Sequence, residues 1–516
     1  MIKVFTNKEN YQYDLHSLIK AFYPEQEVKV EEVPALDDMS VSEWMKENTE
    51  KNCKIVVRFL QDNMEVCLAV ANHLQNEKVT DVSEKSKEEL TCVEEAFKFY
   101  TCPVGKGEQE ATKNDYKLAL YQALCDYTGK TLPWGNLTGI RPTKLPMGML
   151  AEGMKDEDII KNLQATHAVS DEKAWLSLDI AKREKALLDS IHYRDGYSLY
   201  IGIPFCPTTC LYCSFTSYPI AMWRKRIREY LGALFKEIDY IAEAYKDKIL
   251  DTIYIGGGTP TTLEADELDA LLTRVREKLD FSQVKEFTVE AGRADSITRE
   301  KLEVLKKHGV TRISVNPQTM KDETLKFIGR QHTVAQVKEA FQIAREVGFD
   351  NINMDIILGL PGELEEDVAH TIAEIKILNP DSLTVHSLAI KRASKLSQWI
   401  EENGMQTLHN TDTTMEIAAR GAKELDMNPY YLYRQKNMSG NFENVGYARE
   451  GKYGIYNILI MEEVQTIVAL GAGSITKRVF PDGRIERCDN VKDVALYIEK
   501  IDEMIERKRK LLGMEP

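Results

Sequence analysis

The sequence predicts an α/β fold built around a partial, open (β/α)6 barrel, flanked by an N-terminal α+β domain and a C-terminal α+β region. Between residues 196 and 390, apolar strand-like runs alternate with charged, amphipathic helical segments. This alternation is typical of parallel β/α units joined by right-handed crossovers. Polar or glycine-rich segments follow most of the strand-like runs, where such folds place their functional residues.

Six such units fill the central region, which we expect to form one domain over residues 196–390. The strand-like runs are Tyr197–Ile203, Asp251–Gly256, Lys285–Glu290, Thr311–Asn316, Asn351–Leu358 and Asp381–Leu388. The amphipathic segments between them are Met222–Asp247, Glu264–Leu279, Thr298–His308, Val334–Val347 and Leu364–Leu378. Their apolar residues recur at helical spacing, so the whole region predicts helices packed on a parallel sheet.

The regions on either side lack this alternation. In residues 1–195 we expect an α+β domain followed by a helical extension, with strands at 54–60 and 65–71 and helices at 112–129, 145–154, 156–164 and 170–190. In residues 391–516 we expect a helix at 411–427, a strand at 429–433, a hairpin at 477–487 and a last helix at 490–510. The role of the first 195 residues is not readable from the sequence.

The loop from Leu132 to Lys144 is dense in glycine and proline, yet it contains Trp134 and two cations, Arg141 and Lys144. A simple connector needs no tryptophan. A packed loop that pins helices together is the favoured interpretation, and a ligand-facing role for the two cations is the alternative.

Composition and charge narrow the class of protein. A net charge of −15 argues against nucleic acid as a partner, because phosphate binding needs a positive surface. No run of about 18 uncharged apolar residues occurs, so we expect no membrane span. The N-terminus lacks the apolar core of a signal peptide, and the nine cysteines are an odd number. We therefore expect a cytoplasmic enzyme without disulfides.

Three cysteines within eight residues follow the first strand of the barrel, at positions 206, 210 and 213. A [4Fe-4S] cluster held by four cysteines mainly moves electrons, whereas three leave one iron open for a chelating ligand. Structural zinc is the main alternative, but it needs four ligands, and the nearest histidines are His192 and His308. Ordinary packing of three thiols is the remaining alternative, and it must explain the prolines at 204 and 207 around them.

Polar groups end the following strands as well. The second strand ends in Gly256-Gly257-Gly258-Thr259, whose glycines let a ligand approach the backbone closely. The third ends in Glu290, Gln318 follows the fourth, and the fifth contains Asp355 between apolar residues. A carboxylate in such a strand is costly unless it is paired or bound to a ligand. Each could be an ordinary polar residue, but their repetition at successive strand ends indicates one binding face.

Taken together, these motifs resemble the radical S-adenosylmethionine (SAM) superfamily. The similarity rests on Cys-x3-Cys-x2-Cys, Gly-Gly-Gly-Thr-Pro-Thr, a strand-end Glu, Gln318 with Arg330 after it, and Asn-x-Asp-x-Ile-x-Gly-Leu-Pro, over residues 197–390. Within the superfamily, the chain is similar to the branch of oxygen-independent coproporphyrinogen III oxidase (HemN) and the heme chaperone HemW. The N-terminal extension, the loop around Trp134 and residues 431–444 resemble the HemZ subgroup, described as coproporphyrinogen dehydrogenase.

The resemblance implies two cofactors, a [4Fe-4S] cluster and SAM. The implied cluster ligands are Cys206, Cys210 and Cys213, with the amino and carboxylate groups of SAM on the fourth iron. The implied SAM contacts are Gly257, Gly258, Thr259, Glu290, Gln318, Arg330 and Asp355. Arg330 would bind the methionyl carboxylate through its forked donors, and Gln318 and Asp355 would bind the ribose hydroxyls. Tyr200 and Glu290 are the implied catalytic residues.

The implied reaction is the anaerobic oxidative decarboxylation of coproporphyrinogen III to protoporphyrinogen IX, a step of heme biosynthesis. The implied partners are a tetrapyrrole substrate and a small electron donor such as ferredoxin or flavodoxin. HemN has a further cysteine where this chain has Phe215, and the C-terminal heme motif of HemW is replaced here by Tyr456-Asn457-Ile-Leu-Ile-Met461. A heme carrier related to HemW, or a radical SAM enzyme acting on another tetrapyrrole, therefore stays open as an alternative.

A tetrapyrrole with four propionates needs cations around it. The candidate cations are Arg141, Lys144, Arg434 and Lys436. His386 and Lys391, near the sixth strand, are further candidates for the same pocket. For each of them an ordinary surface or strand-end role is the alternative.

Overall fold

In the computed structural model, the described residues are 1–24, 26–48, 54–60, 63–69, 98–104, 111–139, 141–215, 217–391, 394–404, 408–435 and 442–513. They divide into two compact units, residues 1–139 with 149–178 and residues 140–148 with 179–516. The division into regions 1–195, 196–390 and 391–516 stays a prediction. Within the described residues, no helix is both long and apolar enough to cross a membrane.

The first unit is an α+β structure. Its strands are β1 Ile2–Thr6, β2 Val28–Glu32, β3 Lys54–Phe59, β4 Asn63–Ala69 and β5 Lys98–Pro103. Its early helices are α1 Gln12–Phe22, α2 Val41–Glu47 and α3 Lys113–Thr128. The sheet order is β2-β1-β3-β4-β5, with β1 parallel to both neighbours and β3, β4 and β5 antiparallel. One buried cluster joins residues of α1 and α3 to β3, including Leu18, Ile55 and Leu120.

Three more helices precede the barrel: α4 Lys144–Ala151, α5 Asp156–His167 and α6 Asp171–Leu188. They lie at the positions predicted for the helical extension. Helix α5 begins with Asp156, Glu157 and Asp158 in its first turn and ends at Ala168 in the left-handed conformation, with φ of 54°. Acidic residues in a first turn interact favourably with the positive end of the helix dipole, which explains where this helix begins.

The second unit contains the β/α core. Its strands are β6 Gly196–Ile203, β7 Phe205–Cys206, β8 Tyr218–Pro219, β9 Ile249–Gly257, β10 Glu286–Gly292, β11 Arg312–Val315, β12 Ile352–Leu358, β13 Ser382–Ser387, β14 Asn428–Tyr433, β15 Asn444–Ala448, β16 Thr466–Leu470, β17 Ile475–Val479 and β18 Ile485–Asp489. Its helices are α7 Ile220–Trp223, α8 Ile227–Ala244, α9 Ala265–Lys278, α10 Arg299–Lys307, α11 Asp322–Phe327, α12 Val334–Glu346, α13 Glu365–Leu378, α14 Lys395–Asn403, α15 Asp412–Glu424, α16 Ile455–Glu462, α17 Val494–Glu499 and α18 Ile501–Leu512.

The six predicted β/α strands are confirmed, each within two residues at either end. They lie side by side in chain order, β6-β9-β10-β11-β12-β13, and every neighbouring pair is parallel. The barrel is open, because β6 also pairs with β16 and β13 also pairs with β15. All six strands therefore present their carboxyl ends at one edge, as the sequence predicted.

The C-terminal region extends the sheet at both edges. Strands β15 and β14 add antiparallel strands beside β13, while β16, β17 and β18 continue beyond β6. The predicted hairpin is confirmed as β17 and β18, with Val479 opposite Ile485. The predicted last helix over 490–510 is wrong in one respect: it is two helices, α17 and α18. Lys500 separates them with φ of −106° and ψ of 25°, outside the helical region.

A buried ion pair joins helix α8 to this C-terminal extension. Glu237 is fully buried and accepts hydrogen bonds from Lys508 at 2.7 Å, Tyr497 at 2.6 Å and Asn490 at 2.9 Å. The backbone N–H of Gly471, directly after β16, donates to the same carboxylate at 2.8 Å. A buried carboxylate with four donors is fully satisfied, so it holds four elements in one arrangement.

We expect Glu237→Gln to destabilise this unit by about 3 kcal/mol or more, because it leaves the Lys508 ammonium buried without its counter-charge. Urea denaturation followed by circular dichroism measures the change. Asp502→Asn is a matched control, because its ion pair with Lys236, next to Glu237, is exposed on both sides. An exposed pair contributes about 1 kcal/mol at most. Equal losses in the two variants would contradict the assignment.

Candidate active site

A cavity of about 400 Å³ lies at the carboxyl ends of the parallel strands. Ten residues predicted to hold the cofactors line it: Cys206, Cys210, Cys213, Gly257, Gly258, Thr259, Glu290, Gln318, Arg330 and Asp355. They come from the end of β7 and the loop after it, from the end of β9 and the residues after it, from β10 and β12, and from the segment that follows β11. The fold therefore brings together side chains that are up to 149 positions apart in the sequence, from Cys206 to Asp355.

Backbone hydrogen bonds fasten the cysteine loop to the end of β9. The N–H of Gly258 donates to the Ile203 carbonyl at 2.8 Å, and the N–H of Thr259 donates to the Phe205 carbonyl at 2.7 Å. The Thr259 hydroxyl lies 3.6 Å from the Cys206 sulfur. These contacts place the glycine segment directly against the first cysteine.

Gly258 and Gly257 are required at their positions for different reasons. A Cβ on Gly258 would lie 2.5 Å from the carbonyl oxygen of Phe205, so no side chain fits there. Gly257 has φ of 109°, a conformation that residues with a Cβ rarely adopt. The glycine run is thus explained by a close backbone approach and by a special backbone conformation.

The three thiols line the cavity and are not grouped tightly around one position. Within the described residues, no three His, Cys, Asp or Glu side chains lie close enough together to hold one metal ion. Burial raises the pKa of the Cys206 thiol and of the Cys213 thiol. Three thiols that line a cavity of this size can accept a group larger than one ion and leave room for a ligand beside it.

Glu290 forms a short hydrogen bond with Tyr254 at the end of the neighbouring strand. The Tyr254 hydroxyl donates to Glu290 Oε1 at 2.5 Å. Burial raises the pKa of Glu290 to about 7, and the charge of Asp355 adds to this, while the hydrogen bond from Tyr254 opposes it. Gly256 makes room for the pair, because a Cβ there would lie 2.8 Å from the tyrosine ring and 2.9 Å from the carboxyl carbon.

Tyr200 lies beside this pair and is not among the residues that line the cavity. Its ring stacks at 6.2 Å from the rings of both Tyr254 and Tyr456, which are 4.4 Å from each other. Burial, followed by the charge of Glu290, raises the pKa of the Tyr200 hydroxyl. The three rings pack against one another, with Tyr456 nearest to Tyr254. The sequence singled out Tyr200 but did not identify Tyr254.

Gln318 is held in an uncommon backbone conformation, with φ of 70°. Its N–H donates to the Asp355 carbonyl at 2.9 Å, and its carbonyl accepts from the N–H of Ile357 at 2.9 Å. These two bonds attach the segment after β11 to β12 and stabilise the left-handed conformation. Asn353 donates to Asp355 Oδ1 at 2.6 Å. The amide of Gln318 and the carboxylate of Asp355 therefore border the cavity from adjacent strands.

Arg330 is buried, and its two terminal nitrogens are engaged. One donates to the Asn316 carbonyl at 2.7 Å and the other to the Tyr212 hydroxyl at 3.2 Å. Within the described part of the chain, Arg330 Nε, Asn316 Oδ1 and Ser314 Oγ are buried cavity atoms without a hydrogen-bond partner. Unpaired buried polar atoms are costly, so a polar ligand in this cavity would supply missing partners.

The C-terminal region supplies the wall opposite the cysteine loop, with Tyr431, Tyr433 and Asn444. His386 from the sixth strand also lines the cavity, 4.0 Å from Asp355 and 3.4 Å from the Tyr433 hydroxyl. Burial lowers the pKa of His386, although the charge of Asp355 opposes this. Lys391 lines the cavity as well.

The other candidate cations have different surroundings. Arg141 donates to the Met461 and Glu462 carbonyls, both at 2.9 Å, and pairs with Glu463 at 3.1 Å, so it stabilises the end of α16. Burial lowers the pKa of Arg434 to about 10, although the negative charge of Glu443 opposes this shift. Lys144 lies at the start of α4. Lys436 lies outside the described residues.

Arg293 is a further cavity residue that the sequence did not single out. Arg293 follows β10 directly and is only 3% exposed. It donates to the carbonyl and hydroxyl of Thr208, within the cysteine loop, at 3.0 and 2.8 Å. Its position three residues after Glu290, at a strand end, was the available signal. A single arginine among the chain's 67 Lys and Arg residues gave no reason to choose it.

Comparison with known proteins shows a consistent set of relatives. The family model for the radical SAM superfamily matches residues 200–375. The Bacillus subtilis (strain 168) oxygen-independent coproporphyrinogen-III oxidase-like protein HemZ is 43% identical over 425 residues, 81% of this chain and 85% of the relative. The heme chaperone HemW of the same strain is 41% identical over 196 residues, 38% of this chain and 51% of that protein. The structure of Escherichia coli coproporphyrinogen III oxidase (HemN), a radical SAM enzyme, is 22% identical and covers 62% of this chain and 73% of its own, with a TM-score of 0.49.

We expect Gly258→Ala to lower the free energy of unfolding by about 1–3 kcal/mol, because the new methyl group must push the Phe205 carbonyl away. The cysteine loop should then bind less iron on anaerobic reconstitution, which iron analysis measures. Gly232→Ala in α8 is the control, since nothing lies within 4 Å of its added Cβ. That variant should keep its iron and gain up to about 1 kcal/mol of helix stability. Full iron content in Gly258→Ala would contradict the role of the close approach.

Proposed function

We propose, since this chain belongs to the radical SAM superfamily and to the group of the HemZ protein within it, that it catalyses the oxidative decarboxylation of coproporphyrinogen III to protoporphyrinogen IX. The observation that carries the proposal is that three loop cysteines and the polar strand-end residues share one cavity. The 43% identity to an oxygen-independent coproporphyrinogen-III oxidase-like protein supports the substrate class. A cytoplasmic location stays a prediction from the sequence.

The cofactors of this superfamily are a [4Fe-4S] cluster and SAM. When bound, they supply a carbon-centred radical that can remove a hydrogen atom from an unactivated C–H bond. In our proposal Cys206, Cys210 and Cys213 bind the cluster as thiolates. The raised pKa values of Cys206 and Cys213 mean that these thiols lose their protons on binding iron.

The strand-end residues would orient SAM. The close-packed backbone of Gly257 to Thr259 and the carboxylate of Glu290 would accept hydrogen bonds from the methionyl ammonium. Arg330 would bind the methionyl carboxylate, using the Nε that has no partner within the described residues. Gln318 and Asp355 would bind the two ribose hydroxyls. A backbone hydrogen bond joins these two residues and fixes the position of one relative to the other. Tyr200 and Glu290 stay our candidates for catalytic residues.

The proposed reaction converts two of the four propionates of the substrate to vinyl groups, one after the other. A propionate side chain, –CH2–CH2–CO2⁻, loses one hydrogen atom from the carbon next to the pyrrole, then CO2 and one electron. The product is a vinyl group, and a one-electron acceptor must take the last electron. A small protein such as ferredoxin or flavodoxin is the proposed donor of the electron that starts each cycle. Lys391 and His386 are the cavity residues available for the propionate carboxylates.

A heme carrier related to HemW is the second candidate, because HemW of Bacillus subtilis is 41% identical over 196 residues. The C-terminal heme motif of that branch is replaced here by a segment in which Tyr456 and Asn457 already have partners. Tyr456 stacks on Tyr254 at 4.4 Å, and Asn457 donates to the Tyr430 hydroxyl at 3.2 Å. This observation favours the enzyme over the carrier.

Anaerobic incubation of reconstituted protein with SAM, a reductant and coproporphyrinogen III tests the proposal. We expect 5′-deoxyadenosine, CO2 and protoporphyrinogen IX to form in parallel, as measured by liquid chromatography and mass spectrometry. Cys210→Ala is the control and should form none of them. Stoichiometric heme uptake without SAM cleavage would instead support the carrier. SAM cleavage that depends on a different tetrapyrrole would keep the enzyme class and reject the substrate.

We also expect SAM binding to depend on pH through Glu290. Its carboxylate form should bind the methionyl ammonium, so affinity should fall as the pH drops below about 7. Tyr254→Phe removes the hydrogen bond that stabilises the carboxylate, and should move this transition upward by about one pH unit. Calorimetry of SAM binding across pH measures both effects.

Tyr453→Phe is the control for this experiment, because its hydroxyl bonds the exposed Glu450 instead. It should leave the pH dependence unchanged. An unchanged transition in Tyr254→Phe would show that the tyrosine does not set the protonation of Glu290.

A further inference from the structure

Arg293 connects the end of β10 to the cysteine loop by a set of directed contacts. Its Nη1 donates to the Thr208 hydroxyl at 2.8 Å and to the Thr208 carbonyl at 3.0 Å, and lies 3.9 Å from the Cys210 sulfur. Thr208 in turn donates to the Gly329 carbonyl at 2.9 Å. The guanidinium thus lies against the middle cysteine and fixes the residue two positions before it.

The other side of the guanidinium is held by Asp295. Arg293 Nε donates to Asp295 Oδ1 at 3.0 Å and Nη2 donates to Oδ2 at 2.6 Å, a two-bond pairing. The side chains of Arg293 and Asp295 are 4% and 15% exposed. His332 Nδ1 lies 3.8 Å from Asp295 Oδ1. Asp295 is therefore the fixed counter-charge of Arg293, whose guanidinium faces the proposed cluster ligand Cys210.

A fixed charge at this position has an electrostatic consequence. Adding an electron to a cluster bound at Cys210 makes it more negative, and a nearby cation stabilises that reduced form. Because the guanidinium is buried, water screens this interaction only weakly. Hydrogen bonds and charges around the ligand sulfurs are among the factors that set the reduction potential of an iron–sulfur cluster. Asp295, on the far side of Arg293, has the opposite and smaller effect.

We propose that Arg293 is a positioning residue that raises the reduction potential of the cluster at Cys206, Cys210 and Cys213, and that Asp295 moderates this effect. The inference rests on the proposed cluster ligands but not on coproporphyrinogen III as substrate. Arg330 also lies near Cys210, but its terminal nitrogens bind Asn316 and Tyr212. Within the part of the chain that the structure describes, Arg293 is the arginine whose hydrogen bonds reach the cysteine loop between Cys206 and Cys210.

Two substitutions with opposite expected effects test the charge. Arg293→Gln removes the cation, so the midpoint potential should fall; at the wild-type midpoint the ratio of reduced to oxidised cluster should drop about tenfold, which is about 59 mV for one electron. Asp295→Asn removes the counter-charge at nearly constant shape, so the midpoint should rise. Redox titration of the reconstituted protein without SAM or substrate, followed by electron paramagnetic resonance, measures both.

Three further measurements make the result decisive. Arg293→Lys keeps the charge and should stay near the wild-type midpoint, and Arg299→Gln, on the half-exposed start of α10, should not change it. Iron and sulfide analysis of every variant shows whether the cluster is bound. Midpoints that do not change, or that move in the same direction in Arg293→Gln and Asp295→Asn, would overturn the proposal. If wild-type protein binds no cluster, the ligand assignment fails instead.

Discussion

The close backbone contact between the end of β9 and the cysteine loop is the constraint on which the site depends. Two N–H groups, of Gly258 and Thr259, donate to carbonyls on either side of Pro204. The loop can lie this close because position 258 has no side chain, and a Cβ there would lie 2.5 Å from Phe205. Backbone hydrogen bonds fix geometry without depending on side-chain rotamers. The backbone directly before Cys206 is therefore held in a fixed position, although the cysteines belong to a loop.

The interior of the open barrel carries more polar groups than a packed core would tolerate without compensation. Glu286 accepts from Thr288 at 2.9 Å and from the N–H of Ile455, while Arg312 donates to Ser382 at 2.8 Å. Burial raises the pKa of Glu286, and the charge of Arg312 opposes this. Around the cavity the compensation is incomplete, as the unpaired Nε atom of Arg330 shows within the described residues. The satisfied groups hold the barrel together, and in our proposal a bound ligand supplies partners to the unsatisfied cavity atoms.

The C-terminal region takes part in the site as well as completing the sheet. Strands β14 and β15 place Tyr431 and Asn444 in the cavity wall. Helix α16 places Tyr456 on the tyrosine stack, and the carbonyls at its end are bound by Arg141. The arginine that the sequence offered as a possible substrate ligand is thus a helix-capping residue. Cations near the end of a helix stabilise it by pairing with carbonyls that have no partner within the helix.

The sequence by itself determined the six parallel strands, their helices and the face on which the polar strand ends meet, because these follow from local periodicity and from the handedness of β/α crossovers. It also picked out the cysteines, the glycine run and Glu290, because such groups recur at successive strand ends. The tertiary structure alone decided the distant partners: Tyr254 for Glu290, Thr208 for Arg293, and the carbonyls of α16 for Arg141. These pairings join residues across strand neighbours and loops. No local pattern in a single sequence records such distances, since each side chain alone is compatible with an ordinary surface or packing role.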